Sequence, residues 1–148
     1  MRLLLRLFVA AGLIVDAIVH WIFAPEMAGV EGGSIGGDVL FYGQAVLAGV
    51  VAVLVLAWPR RWTYAIAFVV AVTAFGAVFL YRYADVGALG PLPEMYEPVW
   101  YPEKTISAIG EGVAMVLAAV GIFVGNPRTP AHRETPQSRQ PEAPWVRR

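Results

Sequence analysis

Two ionisable residues lie four positions apart within the first apolar stretch of the chain. Asp16 and His20 fall in the run from Leu3 to Phe23, in which Arg6 is the one other charged residue. Residues four apart project from the same side of a helix. Ionisable groups at membrane depth are costly and usually face a bundle interior or a wet cavity. The pair therefore predicts a polar site inside a helical bundle.

Polar residues at similar depth in two other apolar runs extend this site. Counted from the predicted outer ends of their helices, Asp16 lies about 10 Å deep, Glu111 about 9 Å and Gln44 about 7 Å, at 1.5 Å per residue. We therefore predict that acidic side chains from the first and last runs meet in a pocket open to the outside. The predicted ligand-binding residues are Asp16, His20, Tyr42, Gln44, Arg82, Ser107 and Glu111.

Several chemistries fit these residue types. Two carboxylates and one imidazole suit zinc, iron or manganese, which makes Asp16, His20 and Glu111 candidate metal ligands. Two neighbouring carboxylates can also share a proton, with the histidine as a relay. An apolar pocket with a few polar groups would suit a lipid, a quinone or another amphiphile. A purely structural hydrogen-bond network remains an alternative, in which Arg82 or Lys104 helps to neutralise the acids.

Composition excludes other kinds of site. The chain has no cysteine, which excludes disulfides and thiolate metal sites. His20 is the one histidine in the apolar runs, so one chain cannot supply a bis-histidine haem site. The acids between the third and fourth runs are not spaced as a calcium loop.

Four apolar runs predict the elements that hold the site. Hydrophobic residues make up 58% of the chain and charged residues 15%. Each run has the roughly 20 residues that a hydrocarbon core of about 30 Å requires. We predict an all-α integral membrane protein, a four-transmembrane-helix bundle in residues 1–125, followed by a disordered cytoplasmic tail in 126–148. The predicted helices are about 3–23, 39–58, 62–81 and 105–124.

The distribution of basic residues predicts the orientation. Nine of the eleven Lys and Arg residues lie in the first six residues of the chain, in the turn at 59–61 or in the tail. The positive-inside rule then places both termini in the cytoplasm and the loops 25–38 and 82–104 outside. The preference for Arg over Lys indicates a GC-rich, bacterial genome. The expected location is the cytoplasmic (inner) membrane, as a multi-pass protein.

The loop between the third and fourth runs is rich in proline and aromatic residues. Prolines prevent a long helix there, and aromatic side chains give an amphipathic surface. The loop is interpreted either as a lid or docking face, or as an interfacial anchor that seals the bundle. The lid residues are Glu94, Tyr96, Glu97, Trp100, Tyr101, Glu103 and Lys104.

Small residues predict where the helices pack closely. Gly110, Ala114 and Ala118 recur every fourth residue in the last run, and Gly12 lies one turn before Asp16. Such strips let backbones approach, which favours association of helices in lipid. Ala67, Ala71 and Ala74 form a similar strip in the third run.

Four apolar helices in residues 3–124, a Leu-rich first helix and both ends inside resemble, in architecture, the DoxX-like group of small bacterial membrane proteins. The resemblance implies an accessory role beside redox proteins and assigns no residue. The predicted function is a non-enzymatic binding or accessory protein of the membrane, with no catalytic residue and no cofactor assigned. The alternatives are a metal- or quinone-linked oxidoreductase component and a small proton-coupled carrier. The expected partners are the lipid bilayer, another membrane protein or a second copy of the chain, and not nucleic acid.

Overall fold

Four long helices and one short one make up the regular structure of the protein. The computed structural model describes residues 2–30 and 32–124. The helices are α1 (Arg2–Phe23), α2 (Gly37–Ala57), α3 (Arg61–Tyr83) and α4 (Pro102–Val124), with a 3-10 helix at Ala24–Gly29. All four long helices are apolar enough and long enough to cross a membrane. The prediction of an all-helical chain with four such helices is confirmed, and the described residues contain no β-strand.

The helix boundaries differ from the predicted ones by up to three residues. The second and fourth helices begin earlier than predicted, at Gly37 and Pro102. Proline is favoured in the first turn of a helix, where its missing N–H is not needed. Asp38 and Glu103 then lie in first turns, where a carboxylate interacts favourably with the helix dipole. The predicted disordered tail, 126–148, lies outside the described residues.

Helix α1 is the centre of the bundle. It packs against α2 on one side and α4 on the other, and α3 packs mainly against α4. Small side chains fill these contacts, and all of the predicted alanine positions on α3 and α4 are buried. The core formed by larger side chains lies towards the start of α1 and the end of α2. It includes Val9, Leu13, Val51 and Val55.

Two connections, one between α1 and α2 and one between α3 and α4, lie at the same end of the bundle and are joined to each other. The Ile35 N–H of the first connection donates to the Pro91 carbonyl oxygen of the second at 3.0 Å. The second connection is also bonded to α3, because the Glu97 N–H donates to the Tyr81 carbonyl oxygen at 3.0 Å. Pro93 is fully buried beneath them. Both connections therefore cover the bundle end to which the second half of α1 and the first half of α4 belong.

Gly12 sets the closest approach of α1 and α4. A Cβ atom at this position would overlap the Gly110 carbonyl oxygen and lie 3.0 Å from the Ala114 Cβ. We expect Gly12→Ala to destabilise the protein by about 1–3 kcal/mol, the usual cost of overpacking. Thermal unfolding in detergent measures this effect. Gly76→Ala is the matched control, since no atom lies within 4 Å of a Cβ built there; equal stability losses in the two variants would contradict the prediction.

Candidate functional site

The close approach of α1 and α4 brings together the acidic residues of the two helices. Asp16 lies one turn after Gly12, and Glu111 directly follows Gly110. One ligand-type atom from each of Asp16, His20 and Glu111 lies within 4.8 Å of the others. The prediction that acidic side chains from the first and last helices meet is confirmed. We call Asp16, His20, Gln44, Ser107 and Glu111 the polar cluster.

Each carboxylate of the polar cluster has one oxygen fixed by a neutral donor. The Gln44 Nε2 group donates to Asp16 Oδ2 at 2.8 Å, from α2 to α1. The Ser107 hydroxyl donates to Glu111 Oε1 at 2.8 Å, one turn apart on α4. These bonds orient both carboxylates without neutralising them.

The second oxygen of each carboxylate has no such donor. Glu111 Oε2 is buried and accepts no hydrogen bond in the described part of the chain. Asp16 Oδ1 is also buried and has no hydrogen-bond partner there, although it lies 2.7 Å from His20 Nδ1. A buried carboxylate oxygen that lacks a donor is costly, which makes it a position where a bound cation would be favourable.

His20 completes the cluster from the same face of α1 as Asp16. Its Nδ1 atom lies 3.0 Å from the main-chain oxygen of Asp16 as well as close to Oδ1. The Nδ1 atom therefore lies close to two oxygen atoms of Asp16. The imidazole also packs on the Phe41 ring, with 4.9 Å between ring centroids. Sequence reasoning missed Phe41, whose signal is its position one helical turn before Gln44 on α2.

The polar cluster is closed rather than open. The side chains of Asp16 and Glu111 are 0% exposed, and that of His20 is 14% exposed. The sequence predicted a pocket open to the outside, but close packing at the glycine contact covers both carboxylates. From the cluster towards the start of α1, the buried side chains of Leu13 and Val9 are apolar.

The other two predicted ligand-binding residues, Tyr42 and Arg82, lie outside the polar cluster, as does Lys104, the second possible counter-charge for the acids. The Tyr42 ring packs on Trp21, with 4.9 Å between ring centroids. The Arg82 guanidinium lies 4.9 Å from the centre of the Tyr83 ring. Lys104 Nζ donates to the Glu97 carbonyl oxygen at 2.6 Å. Within residues 2–30 and 32–124, none of these three side chains bonds to Asp16 or Glu111.

The lid residues lie in the connection between α3 and α4 and in the first turn of α4. Tyr101 packs on Phe23 at the end of α1, with 5.9 Å between ring centroids. Burial and the nearby Glu97, Glu26 and Glu103 carboxylates raise the pKa of the Tyr101 phenol, which therefore stays neutral. Lys104 is buried, and the remaining lid residues, Glu94, Tyr96, Glu97, Trp100 and Glu103, are exposed.

The donor set has the composition of a divalent cation site. Two oxygens and one ring nitrogen converge, and each carboxylate is oriented by an outer hydrogen bond, as metal-binding carboxylates commonly are. Comparisons with protein-family models, curated proteins and solved structures find no match to this chain. The function is therefore inferred from the geometry of the cluster.

Proposed function

We propose that the protein is a membrane-embedded binding protein that holds one divalent transition-metal ion at Asp16, His20 and Glu111. The observation that carries the proposal is the convergence of two carboxylates and an imidazole in which one buried oxygen of each acid, Asp16 Oδ1 and Glu111 Oε2, has no hydrogen-bond partner in the described residues. Zinc, manganese and iron are the ions that this mixture of oxygen and nitrogen donors favours.

Charge balance supports a divalent ion in particular. Two ionised carboxylates leave a buried net charge of about −2, which is strongly unfavourable at low dielectric. A divalent cation with a neutral imidazole brings the cluster to zero. Asp16, Glu111 and one ring nitrogen of His20 would hold the ion, while Gln44 and Ser107 keep the other oxygen of each carboxylate fixed.

The closed geometry supports a small ligand over an amphiphile at this cluster. Asp16 and Glu111 have no exposed surface for the head group of a lipid or a quinone to contact. The apolar core that continues from Leu13 to Val9 also provides no polar route towards the start of α1, as a carrier would need. A binding role therefore fits better than transport.

Metal analysis of the purified protein tests the proposal. We expect about one zinc, manganese or iron ion per chain, or an apo-protein whose thermal stability rises on titration with one of these ions. Saturation at 100 times the dissociation constant corresponds to about 2.7 kcal/mol of stabilisation. A protein that carries no metal and is not stabilised by any of the three ions would refute the proposal.

We further propose that the protein lies in a bacterial cytoplasmic membrane with both termini inside. The polar cluster then lies near the outer surface, where it would receive a metal ion from the periplasmic side. We also propose an accessory role, as a likeness of the four-helix architecture to DoxX-like proteins would imply, in which a membrane protein partner or a second copy of the chain uses the bound ion.

Single cysteines test this orientation, because the natural chain contains none. Gly29→Cys places a thiol in the predicted outer connection, at a position with open space around it. Arg60→Cys places one in the predicted cytoplasmic turn. A membrane-impermeant maleimide added to intact cells should label the first variant and spare the second until the cells are lysed. Labelling in the reverse order would contradict the orientation.

A further inference from the structure

A second feature, separate from the polar cluster, lies on the surface between α3 and α4. It is an apolar groove of about 540 Å³, with Phe75 and Phe79 on one side and Ile109 and Val113 on the other. Trp100 lies at its outer end and contacts Phe79, with 5.8 Å between ring centroids. Polar surface is nearly absent from this groove, so it suits a hydrocarbon chain.

Two cations lie beside the outer end of this groove. The Arg82 guanidinium carbon is 6.0 Å and the Lys104 Nζ atom 5.8 Å from the centre of the Trp100 ring. Neither forms an ion pair with a carboxylate in the described part of the chain. Arg82 Nε is also buried and without a hydrogen-bond partner there. Two such cations around one indole ring form a site for an anionic group.

We propose that the α3–α4 groove binds an anionic phospholipid, with one acyl chain against Phe75, Phe79 and Val113. The lipid phosphate then lies at the outer end, between Arg82 and Lys104. A phosphate oxygen would accept from the end of the Arg82 guanidinium and lie near the Lys104 ammonium, whose Nζ also donates to the Glu97 carbonyl oxygen. The indole of Trp100 would pack at the glycerol level, where tryptophan is favourable in membranes.

Charge complementarity distinguishes a lipid from a second protein copy in this groove. A protein helix would fill the apolar surface but would leave both cations unpaired unless it also brought an acid to the outer end. A phospholipid supplies the hydrocarbon chain and the anionic group together. The groove between α1 and α2, lined by Ile18, Trp21, Val46 and Val50 among others, is similarly apolar, but in the described residues no cation lies over its Trp21 ring.

Lipid retention by the full-length protein tests the proposal. The protein is equilibrated in mixed micelles with equal amounts of dioleoylphosphatidylglycerol and dioleoylphosphatidylcholine, and bound lipid is measured by native mass spectrometry. These probes share their acyl chains and differ in head-group charge. We expect at least about tenfold preference for the anionic lipid, and at least about tenfold loss of that preference in Arg82→Gln and in Arg82→Gln/Lys104→Gln.

Blocking the groove provides a second measurement that leaves both charges in place. Val113→Trp should fill the groove and displace the lipid, whereas Val46→Trp in the α1–α2 groove should leave retention unchanged. Arg60→Gln/Arg61→Gln at the opposite bundle end is the charge control. Thermal unfolding of each variant confirms that it is folded.

Three results would overturn the proposal. They are equal retention of both lipids, an unchanged preference in the folded Arg82→Gln variant, and an unchanged preference in the folded Val113→Trp variant. Competition by millimolar inorganic phosphate without any acyl-chain dependence would likewise overturn it, since the site would then bind a free anion.

Discussion

Asp16→Asn and His20→Ala are each expected to lower metal affinity at least about 100-fold, because each removes a direct ligand. Loss of a mere outer-shell partner of a metal site already costs about 10–100-fold. Gln44→Ala, which removes the donor to Asp16 Oδ2, should fall in that smaller range. Isothermal titration of apo-protein with the metal found in the purified protein measures all three affinities.

An exposed acid at the same end of the bundle provides the control for these three variants. Glu103→Gln changes one carboxylate near the start of α4 without touching the polar cluster, so its affinity should equal that of the natural protein. The affinity of the natural protein should also fall as the pH is lowered, because protons compete with the metal for the imidazole and the carboxylates. Equal affinities in His20→Ala and Glu103→Gln would show that the cluster is not the metal site.

Glu111→Gln is expected to abolish metal binding and yet to stabilise the metal-free protein. Two unit charges 4 Å apart repel by about 4 kcal/mol at an effective dielectric constant of about 20. The glutamine keeps the volume, can still accept from the Ser107 hydroxyl and can donate towards Asp16. We expect a gain of about 1–3 kcal/mol in the free energy of unfolding of the apo-protein, in the range seen when buried charges are replaced by neutral groups of similar volume.

Opposite changes in stability and metal binding separate a functional site from a structural network. A network that serves packing alone predicts that Glu111→Gln is neutral or destabilising, and that metal ions have no effect on either form. Urea or thermal unfolding with and without metal, in natural protein and variant, gives all four values. A Glu111→Gln protein that is less stable than the natural apo-protein and still binds metal would contradict the proposal.

Much of the fold could be predicted because the length of an apolar run directly indicates a long helix. Four runs of about 20 residues predict four long helices, and small residues such as Gly12 and Gly110 predict their closest contact. The 3-10 helix at Ala24–Gly29 and the early start of α4 at Pro102 could not be predicted reliably. They depend on local turn geometry and on contacts between the two outer connections.

Depth along the helices predicted which polar residues lie at one level of the bundle. It could not predict the direction in which each side chain points, because that depends on rotation about the helix axis. Asp16, His20 and Glu111 share a depth and also face one another. Tyr42 and Arg82 share a similar level of the bundle, but their side chains turn towards Trp21 and Trp100 instead. The burial of the two carboxylates was missed for a different reason. It depends on how closely α1 and α4 approach each other, which depth along a helix does not predict.

The limited exposure of His20 bears on how fast the proposed ion can be exchanged. Of the three candidate ligands, His20 alone reaches the surface, and its ring is held between Asp16 and Phe41. A chelator therefore meets the imidazole first and gains access to the carboxylates once that ring swings aside. Release of the proposed ion would then follow the rate of this ring movement rather than chelator concentration.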